Sequence, residues 1–272
     1  MKTWEKYRES VADARRVVVK IGSRVLVQKT GRPDVRRMRE LVRQLSEVRR
    51  SGCEVVVVTS GAVAAGVEAL GMTSRPTELP ELQMAAAVGQ ARLMCRYDDL
   101  FGQQGVQVGQ VLLTHADFQH KVRLTNARRT METMIRRGVV PIVNENDVVA
   151  DEEIKADLAL GDNDLLASLL VRMIRADLLI ILSTVDGLRE PGPNGSTRRV
   201  RCVEALTPSV FRLVQGGASS MSKGGMLSKL KAAQSAAKTG CAAVIANGRE
   251  RDIVCRVLRG EDAGTLILAS GL

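Results

Sequence analysis

The sequence has 272 residues, of which 45% are hydrophobic and 26% charged, enough to bury a full core in one large domain or two small ones. No apolar run approaches the roughly 18 residues of a membrane span, and five widely spaced cysteines with only two histidines argue against a zinc site or a disulfide framework. We therefore expect a cytoplasmic protein in a reducing compartment, with no membrane partner.

The net charge of +10 is compatible with a nucleic-acid partner, an acidic substrate or an arginine-rich surface. The basic residues are spread along two predicted helices, 33–50 and 127–137, which is typical of solvated faces. Aromatic residues make up only 2% of the chain, so few side chains are available to stack on bases. A nucleic-acid partner is therefore disfavoured.

Short apolar strands alternate with helical patterns along the chain. After a polar helical lead-in over residues 1–15, strands are predicted at 16–20, 54–58, 106–113, 138–143, 176–182, 242–246 and 264–267. Helices are predicted at 33–50, 79–104, 127–137 and 252–258. A further helix is predicted to begin at 162, and another to follow the glycine-rich stretch and end at about 238. A polar segment is predicted at 114–126 and a surface loop at 191–197. This alternation predicts an α/β fold, a three-layer sandwich with a mainly parallel open sheet, in one domain over residues 16–272.

Two polar clusters follow the buried strand 138–143. The first is Asn144 to Asp147, and the second, Asp162 to Asp164, opens a helix about fifteen residues later. Ligands of open α/β sheets bind beyond the carboxyl ends of the strands, where fixed amides and carboxylates suit an amino acid or a metal–phosphate group. Helix capping explains Asp162 or Asp164 alone, but not seven polar groups together.

Three further stretches have the character of anion sites. Lys20 ends the first strand just before Gly22, and Ser60 precedes a glycine turn after the second strand. The glycine-rich stretch 216–229, which contains Lys223 and Lys229, is predicted to form a phosphate cradle ahead of a helix. Each has a structural alternative, respectively a solubilising charge, a helix cap and an interdomain linker, and the GxxxxGK[ST] phosphate-loop spacing is missing.

Taken together, these motifs resemble the amino-acid kinase family over roughly residues 16–268. The matching pieces are VVVKIGSRVL (17–26), VVVVTSGAVAAG (55–66), AAVGQARL (86–93), VGQVLLT (108–114), NAR (126–128), VPIVNENDVVA (140–150), GDNDLLAS (161–168) and KGGMLSKL (223–230). The family's fold is the predicted sandwich. The NEND and GDND motifs are typical of the branch that uses ATP to phosphorylate the γ-carboxylate of glutamate, the first step of proline biosynthesis.

The resemblance implies a role for each matching residue. Lys20 and Lys229 would flank the transferred phosphoryl group, and Asp164 would orient both lysines. A glutamate-binding part, about 16–170, would use Ser60, Asp147 and Asn163. An ATP-binding part, about 171–270, would act with the first strand, and the nucleotide contacts would be Lys20, Gly22, Ser183, Thr184, Lys223, Gly224, Gly225, Met226, Leu227, Ser228 and Lys229. Mg²⁺ would bridge the ATP phosphates without a protein ligand.

The resemblance also implies partners. Proline is expected as a feedback inhibitor, a homodimer or homotetramer is expected through the helix at 79–104, and glutamate-5-semialdehyde dehydrogenase would receive the product. We expect the chain to stop at the end of the kinase domain, without the C-terminal PUA domain of many relatives.

The sequence departs from the family pattern in three places, none of which removes Lys20, Lys229 or the GDND motif, and two alternatives stay open. Thr184 replaces the usual Asp, Lys223 replaces the usual Thr, and extra residues occur around 156–160. One alternative is a kinase of another carboxylate, such as N-acetylglutamate. The other is a regulatory or nucleic-acid-binding protein that has kept the fold without activity.

Overall fold

A computed structural model describes residues 3–149, 162–215 and 220–270. The strands are β1 (Arg16–Ile21), β2 (Glu54–Val58), β3 (Val108–Leu113), β4 (Val140–Glu145), β5 (Leu178–Ser183), β6 (Arg189–Pro191), β7 (Thr197–Arg199), β8 (Cys202–Val203), β9 (Ala242–Asn247) and β10 (Thr265–Ile267). The helices are α1 (Thr3–Ala12), α2 (Ser23–Leu26), α3 (Val35–Arg50), α4 (Ala62–Ala69), α5 (Leu79–Gly102), α6 (His115–Gln119), α7 (Lys121–Arg136), α8 (Asp162–Ile174), α9 (Pro208–Gln215), α10 (Ser220–Ala237) and α11 (Ile253–Leu258).

An eight-stranded sheet in the order β3-β4-β2-β1-β5-β9-β10-β8 forms the centre of the molecule. The six strands from β3 to β9 run parallel, whereas β10 pairs antiparallel with β9. The chain builds one side of β1 with β2, β3 and β4, and then crosses to the other side with β5. The carboxyl end of β1 is therefore a topological switch point, where open α/β sheets bind their ligands.

Two apolar clusters cover the two faces of this sheet, which confirms the predicted three layers. Side chains of β1 alternate between the clusters, Val17 and Val19 facing one and Val18 the other. Helices α3, α5 and α11 contribute to the first cluster, and α7, α8 and α10 to the second. No helix in the described ranges is long and apolar enough to cross a membrane.

The helix predicted to begin at 127 begins earlier than expected. The polar segment 114–126 contains α6 and the first residues of α7. Thr114 and Asp117 form a capping box that starts α6, and the His120 side chain accepts a hydrogen bond from the Arg123 amide at the start of α7. Such local side-chain-to-backbone bonds offset weak hydrophobic periodicity. Helix α9 and the short strands β6 to β8 were not predicted from the sequence.

The glycine-rich stretch also differs from its prediction. Helix α10 begins at Ser220, so Lys223, Gly224 and Gly225 lie inside its first turns and not ahead of it. Residues 216–219 of this stretch, and the extra residues around 156–160, lie outside the described ranges.

Helix α1 is tied to the far edge of the sheet by Arg8. This guanidinium is 2% exposed and donates hydrogen bonds to four backbone carbonyls, those of Arg201, Glu261, Ala263 and Gly264. The predicted lead-in is thus a helix anchored on the main body of the chain.

Close packing of α4 on α5 depends on two glycines. A Cβ atom on Gly66 would lie 1.8 Å from the Ala85 carbonyl oxygen, and one on Gly89 would lie 1.8 Å from that of Ala62. The small-residue face of α5 is therefore used within the chain, where it brings α4 and the end of β2 against α5.

Candidate active site

A cleft of about 1230 Å³ opens at the carboxyl ends of β1, β2, β4 and β5. Its lining brings together predicted residues from both halves of the chain, namely Lys20, Ser60, Asp147, Asn163 and Thr184. The parallel sheet explains this gathering, since the residues that follow its strands all reach the same edge.

Three charged side chains form what we call the lysine–aspartate cluster, consisting of Lys20, Asp164 and Lys229. Lys20 Nζ lies 2.7 Å from Asp164 Oδ1, and Lys229 Nζ lies 3.0 Å from Asp164 Oδ2. Asp164 is 1% exposed and Lys20 is 4% exposed. Two ammonium groups against one carboxylate leave a net positive charge, as an anionic ligand requires.

Burial by itself would raise the pKa of Asp164, but the charges of Lys20 and Lys229 lower it below its ordinary value. The carboxylate is therefore ionised at neutral pH. Ser228 adds a hydrogen bond from its Oγ to Asp164 Oδ2 at 2.9 Å, and Lys229 Nζ also donates to the Gly225 carbonyl at 3.0 Å. These bonds fix the direction in which each lysine can present its charge.

Local structure explains why these three residues meet. Lys20 shares its face of β1 with Val18, toward the cluster that α8 and α10 cover. Asp164 lies in the first turn of α8, and Lys229 lies in the middle of α10, which packs beside α8. All three residues were predicted from the sequence, and the structure brings them into contact.

A second, uncharged group of side chains, here called the amide network, consists of Ser60, Asn163, Asn144 and Gln90. Asn163 Nδ2 donates to Ser60 Oγ at 2.9 Å and to Asn144 Oδ1 at 3.2 Å. Asn144 Nδ2 in turn donates to Gln90 Oε1 at 2.8 Å in a buried bond. The network links the ends of β2 and β4 to α8 and α5.

Asp147 is half-buried and lines both the main cleft and a smaller neighbouring cavity of about 280 Å³. Glu145, at the end of β4, also lines both cavities. The predicted glutamate-site residues Ser60, Asp147 and Asn163 therefore share one cleft with Lys20.

Only some of the predicted nucleotide-contact residues that the structure describes line the cleft. Thr184 lines the cleft directly after Ser183, the last residue of β5. The Gly22 amide donates to the Leu182 carbonyl at 3.0 Å, so it is engaged within the protein. A Cβ atom on Gly22 would lie 3.1 Å from that carbonyl and 3.8 Å from Lys20 Nζ, so the glycine keeps the space beside the lysine open.

The predicted nucleotide-contact residues on α10 pack on apolar side chains in part and form hydrogen bonds in part. Met226 and Leu227 are partly buried against the second apolar cluster, and Gly225 supplies a carbonyl to Ser228 and Lys229. The side chain of Lys223 lies outside what the structure describes, as does the surrounding of Gly224. Their role in nucleotide binding stays a prediction.

Several basic residues of the cleft were not predicted. They are Arg24, Lys29, Arg32, Arg75 and Arg249. Arg24 and Arg249 carried a usable signal, because they follow β1 and β9 at the same edge of the sheet. Lys29, Arg32 and Arg75 lie on connections whose position relative to the sheet the sequence does not indicate.

No group of three or more His, Cys, Asp or Glu side chains suited to a metal ion occurs in the part of the chain that the structure describes. Asp164, the most buried carboxylate of the site, gives both its oxygens to lysines.

Curated relatives cover almost the whole chain. A glutamate 5-kinase from Moorella thermoacetica is 44% identical over 263 residues, which is 96% of this chain and 68% of the relative. Glutamate 5-kinases from Paraburkholderia phymatum and Citrifermentans bemidjiense are 43% and 42% identical, each with 70% of its length covered.

Solved structures of low sequence identity share the fold. Carbamate kinase from Giardia lamblia bound to AMP-PNP gives a TM-score of 0.65 at 17% identity, covering 94% of this chain and 99% of that one. UMP kinase from Bacillus anthracis gives a TM-score of 0.60 at 17% identity, covering 95% of this chain and 97% of that one.

The amino acid kinase family model matches residues 15–247, a span that includes the lysine–aspartate cluster and the amide network. With this match, the sandwich fold and the glutamate 5-kinases at over 40% identity, the chain belongs to the amino acid kinase family.

Proposed function

We propose that this protein transfers the γ-phosphoryl group of ATP to the γ-carboxylate of L-glutamate, giving γ-glutamyl phosphate and ADP. The observation that carries the proposal is the shared cleft, in which Lys20 of the charged cluster lies beside Ser60 and Asn163 of the amide network. The identity of 42–44% to glutamate 5-kinases supports glutamate as the acceptor.

In this reaction a carboxylate oxygen of glutamate attacks the γ-phosphorus, and the bond from that phosphorus to the bridging oxygen of ADP breaks. A glutamate side chain is ionised at neutral pH, with an ordinary pKa of about 4.3, so the nucleophile needs no general base. The protein's task is to position two anions against each other and to offset their charge.

Lys20 and Lys229 are suited to the charge-offsetting part of that task. Their ammonium groups are held on opposite oxygens of Asp164, so both are fixed before the ligands arrive. Preorganised charge of this kind stabilises the transition state, because no reorganisation is needed when the phosphoryl group moves.

Recognition of glutamate is proposed for the other side of the cleft. Asp147 is suited to the ammonium group, Ser60 to the γ-carboxylate end, and Asn163 to a position between them. An acetylated amino group would bring no positive charge to Asp147, which favours glutamate over N-acetylglutamate.

ATP is proposed to lie along the ends of β1 and β5, near Thr184, with α10 beside its phosphates. Magnesium is proposed to enter on the phosphates of ATP and not on a protein carboxylate, since Asp164 is occupied by lysines. When bound there, it would neutralise part of the phosphate charge.

The remaining proposals concern partners and location. An acyl phosphate hydrolyses readily, so a reductase such as glutamate-5-semialdehyde dehydrogenase is proposed as the receiving enzyme. Proline, as the pathway product, is proposed as an inhibitor. Five free cysteines support a reducing, cytoplasmic compartment.

Assembly into a homodimer or homotetramer is proposed through the surface around α5, where Met84 is 46% exposed. Light scattering at micromolar concentration tests this proposal. A monomer would contradict it.

The activity itself is tested by trapping acyl phosphate with hydroxylamine in the presence of ATP and Mg²⁺. We expect turnover with glutamate and little with N-acetylglutamate or aspartate, and loss of turnover in Lys229→Ala. Turnover with N-acetylglutamate alone would show that the acceptor is N-acetylglutamate and not glutamate. No turnover with any acceptor, together with salt-dependent RNA binding, would favour a non-catalytic role.

A further inference from the structure

Gln90 is a buried polar residue of α5 to which the mechanism above gives no role. It lies in the AAVGQARL motif, is 9% exposed, and its Oε1 accepts the hydrogen bond from Asn144 Nδ2 at 2.8 Å. Its Nε2 donates to Gln110 Oε1 at 3.5 Å, and both glutamines line the smaller neighbouring cavity. Buried amides are fixed by such bonds, because an unpaired donor or acceptor is costly.

The amide network has a direction. Gln90 accepts from Asn144, which leaves Asn144 Oδ1 to accept from Asn163 Nδ2 at 3.2 Å. Asn163 Nδ2 gives its second hydrogen to Ser60 Oγ at 2.9 Å. Both hydrogens of the Asn163 amide are then in use.

One atom of Asn163, which lines the cleft, remains without a partner in the described part of the chain. Asn163 Oδ1 is buried and has no hydrogen-bond partner among the described residues. It is an acceptor, so a ligand that brings an N–H group to it satisfies it, whereas a ligand without one leaves it unpaired.

Without the acceptor at Gln90, the side-chain amide of Asn144 can flip by about 180° and present its Nδ2 to Asn163. Asn163 then has to turn as well, and the cleft meets an NH₂ group in place of an oxygen. The distant glutamine therefore decides whether the ligand encounters an acceptor or a donor.

We propose that Gln90 is a positioning residue that selects acceptor substrates bearing an ammonium group, by holding Asn163 Oδ1 toward the cleft. This inference rests on the proposed phosphorylation of glutamate. Glutarate, the same dicarboxylate without the amino group, is the comparison substrate that reports on it.

The test compares Gln90→Met, which keeps the side-chain length but removes the acceptor, with Gln90→Glu, which keeps an acceptor oxygen. Gln83→Met, about two turns earlier on α5, is the matched control. We measure KM for glutamate and for ATP, the kcat/KM ratio of glutamate to glutarate, and calorimetric binding of both dicarboxylates. Thermal unfolding verifies that each variant is folded.

We expect Gln90→Met to raise KM for glutamate about tenfold, to lower the glutamate-to-glutarate ratio by about the same factor, and to leave KM for ATP unchanged. We expect Gln90→Glu to regain most of the preference and Gln83→Met to behave as wild type. Equal losses for both dicarboxylates in Gln90→Met, or a Gln90→Glu variant as impaired as Gln90→Met, would overturn the inference.

The two hypotheses fail in different ways. A wild-type protein that binds glutamate without phosphorylating it overturns the proposed function, and the calorimetric preference still decides the role of Gln90. A wild-type protein that binds neither dicarboxylate overturns both.

Discussion

The lysine–aspartate cluster and the amide network lie on the same cleft but use opposite physical means. The first concentrates charge, with two ammonium groups held within 3.0 Å of one buried carboxylate. The second is neutral, and each of its amides donates to the next, from Asn163 to Asn144 and from Asn144 to Gln90. A phosphoryl group in transfer needs charge, whereas a small substrate needs to be oriented.

This contrast predicts that damage to the charged cluster lowers kcat and stability, while damage to the amide network raises KM for the acceptor. Charge interactions in a buried site are worth several kcal/mol, and single neutral hydrogen bonds about one.

Asp164→Asn should have the largest effect on stability. It leaves the buried ammonium group of Lys20 and the partly buried one of Lys229 without their carboxylate, which costs about 3–5 kcal/mol in the free energy of unfolding. Urea unfolding at neutral pH measures this loss. A change below about 1 kcal/mol, the range of exposed ion pairs, would mean that the cluster is solvated in the folded protein.

Acid should weaken the same cluster in the wild type. The folded-state pKa of Asp164 is lowered, and in the unfolded chain an Asp has a pKa of about 3.9. The stabilisation is therefore fully present above that value and is lost as the pH falls from it through the lowered folded pKa. Wild type should lose more unfolding free energy in this acid window than Asp164→Asn, as measured by urea unfolding across pH.

Lys229→Ala should lower kcat by about 10²- to 10³-fold, because one preorganised charge at the transferring phosphoryl group is removed. Lys231→Ala, an exposed lysine on the same helix, is the control and should keep wild-type turnover. Steady-state hydroxylamine trapping measures both variants. An unchanged kcat in Lys229→Ala would show that α10 does not contribute Lys229 to the phosphate site.

Asn163→Ala should raise KM for glutamate about tenfold and change KM for ATP little, since it removes the cleft end of the amide network. The same assay with each substrate varied in turn measures the split. If KM for ATP rises instead, Asn163 belongs to the nucleotide side and the division between the two regions is wrong.

Ser228→Ala should have the smallest effect, because Asp164 keeps both lysines after one hydrogen bond is lost. We expect about 1 kcal/mol less unfolding free energy and a kcat reduced less than in Lys229→Ala. Urea unfolding and steady-state kinetics measure these two quantities. A loss as large as that of Asp164→Asn would show that the serine, and not the second lysine, holds the carboxylate in place.

Much of this molecule is predictable from its sequence because the signals are local. Apolar runs and their period specify the strands of the parallel sheet, and the polar residues directly after them must reach its carboxyl edge. Lys20 and Ser60 are found in this way, whereas Asn163 and Asp164 are found as a polar cluster that opens the helix after β4. The helices at 115–136 are missed because their start depends on the Thr114, Asp117 and His120 side chains bonding to the backbone, against a weak apolar pattern.

The tertiary structure alone decides which polar groups touch. That Gln90, from the middle of a long helix, meets Asn144 of β4 depends on how α5 packs on the sheet, and nothing local to Gln90 indicates it. Lys29, Arg32 and Arg75 of the cleft likewise lie on connections whose paths the sheet does not fix. The sequence determined the sheet, its functional edge and the charged residues on it, since these follow from period and chain direction. The partners of those residues followed only from packing, because contacts between distant segments depend on how whole helices fit together.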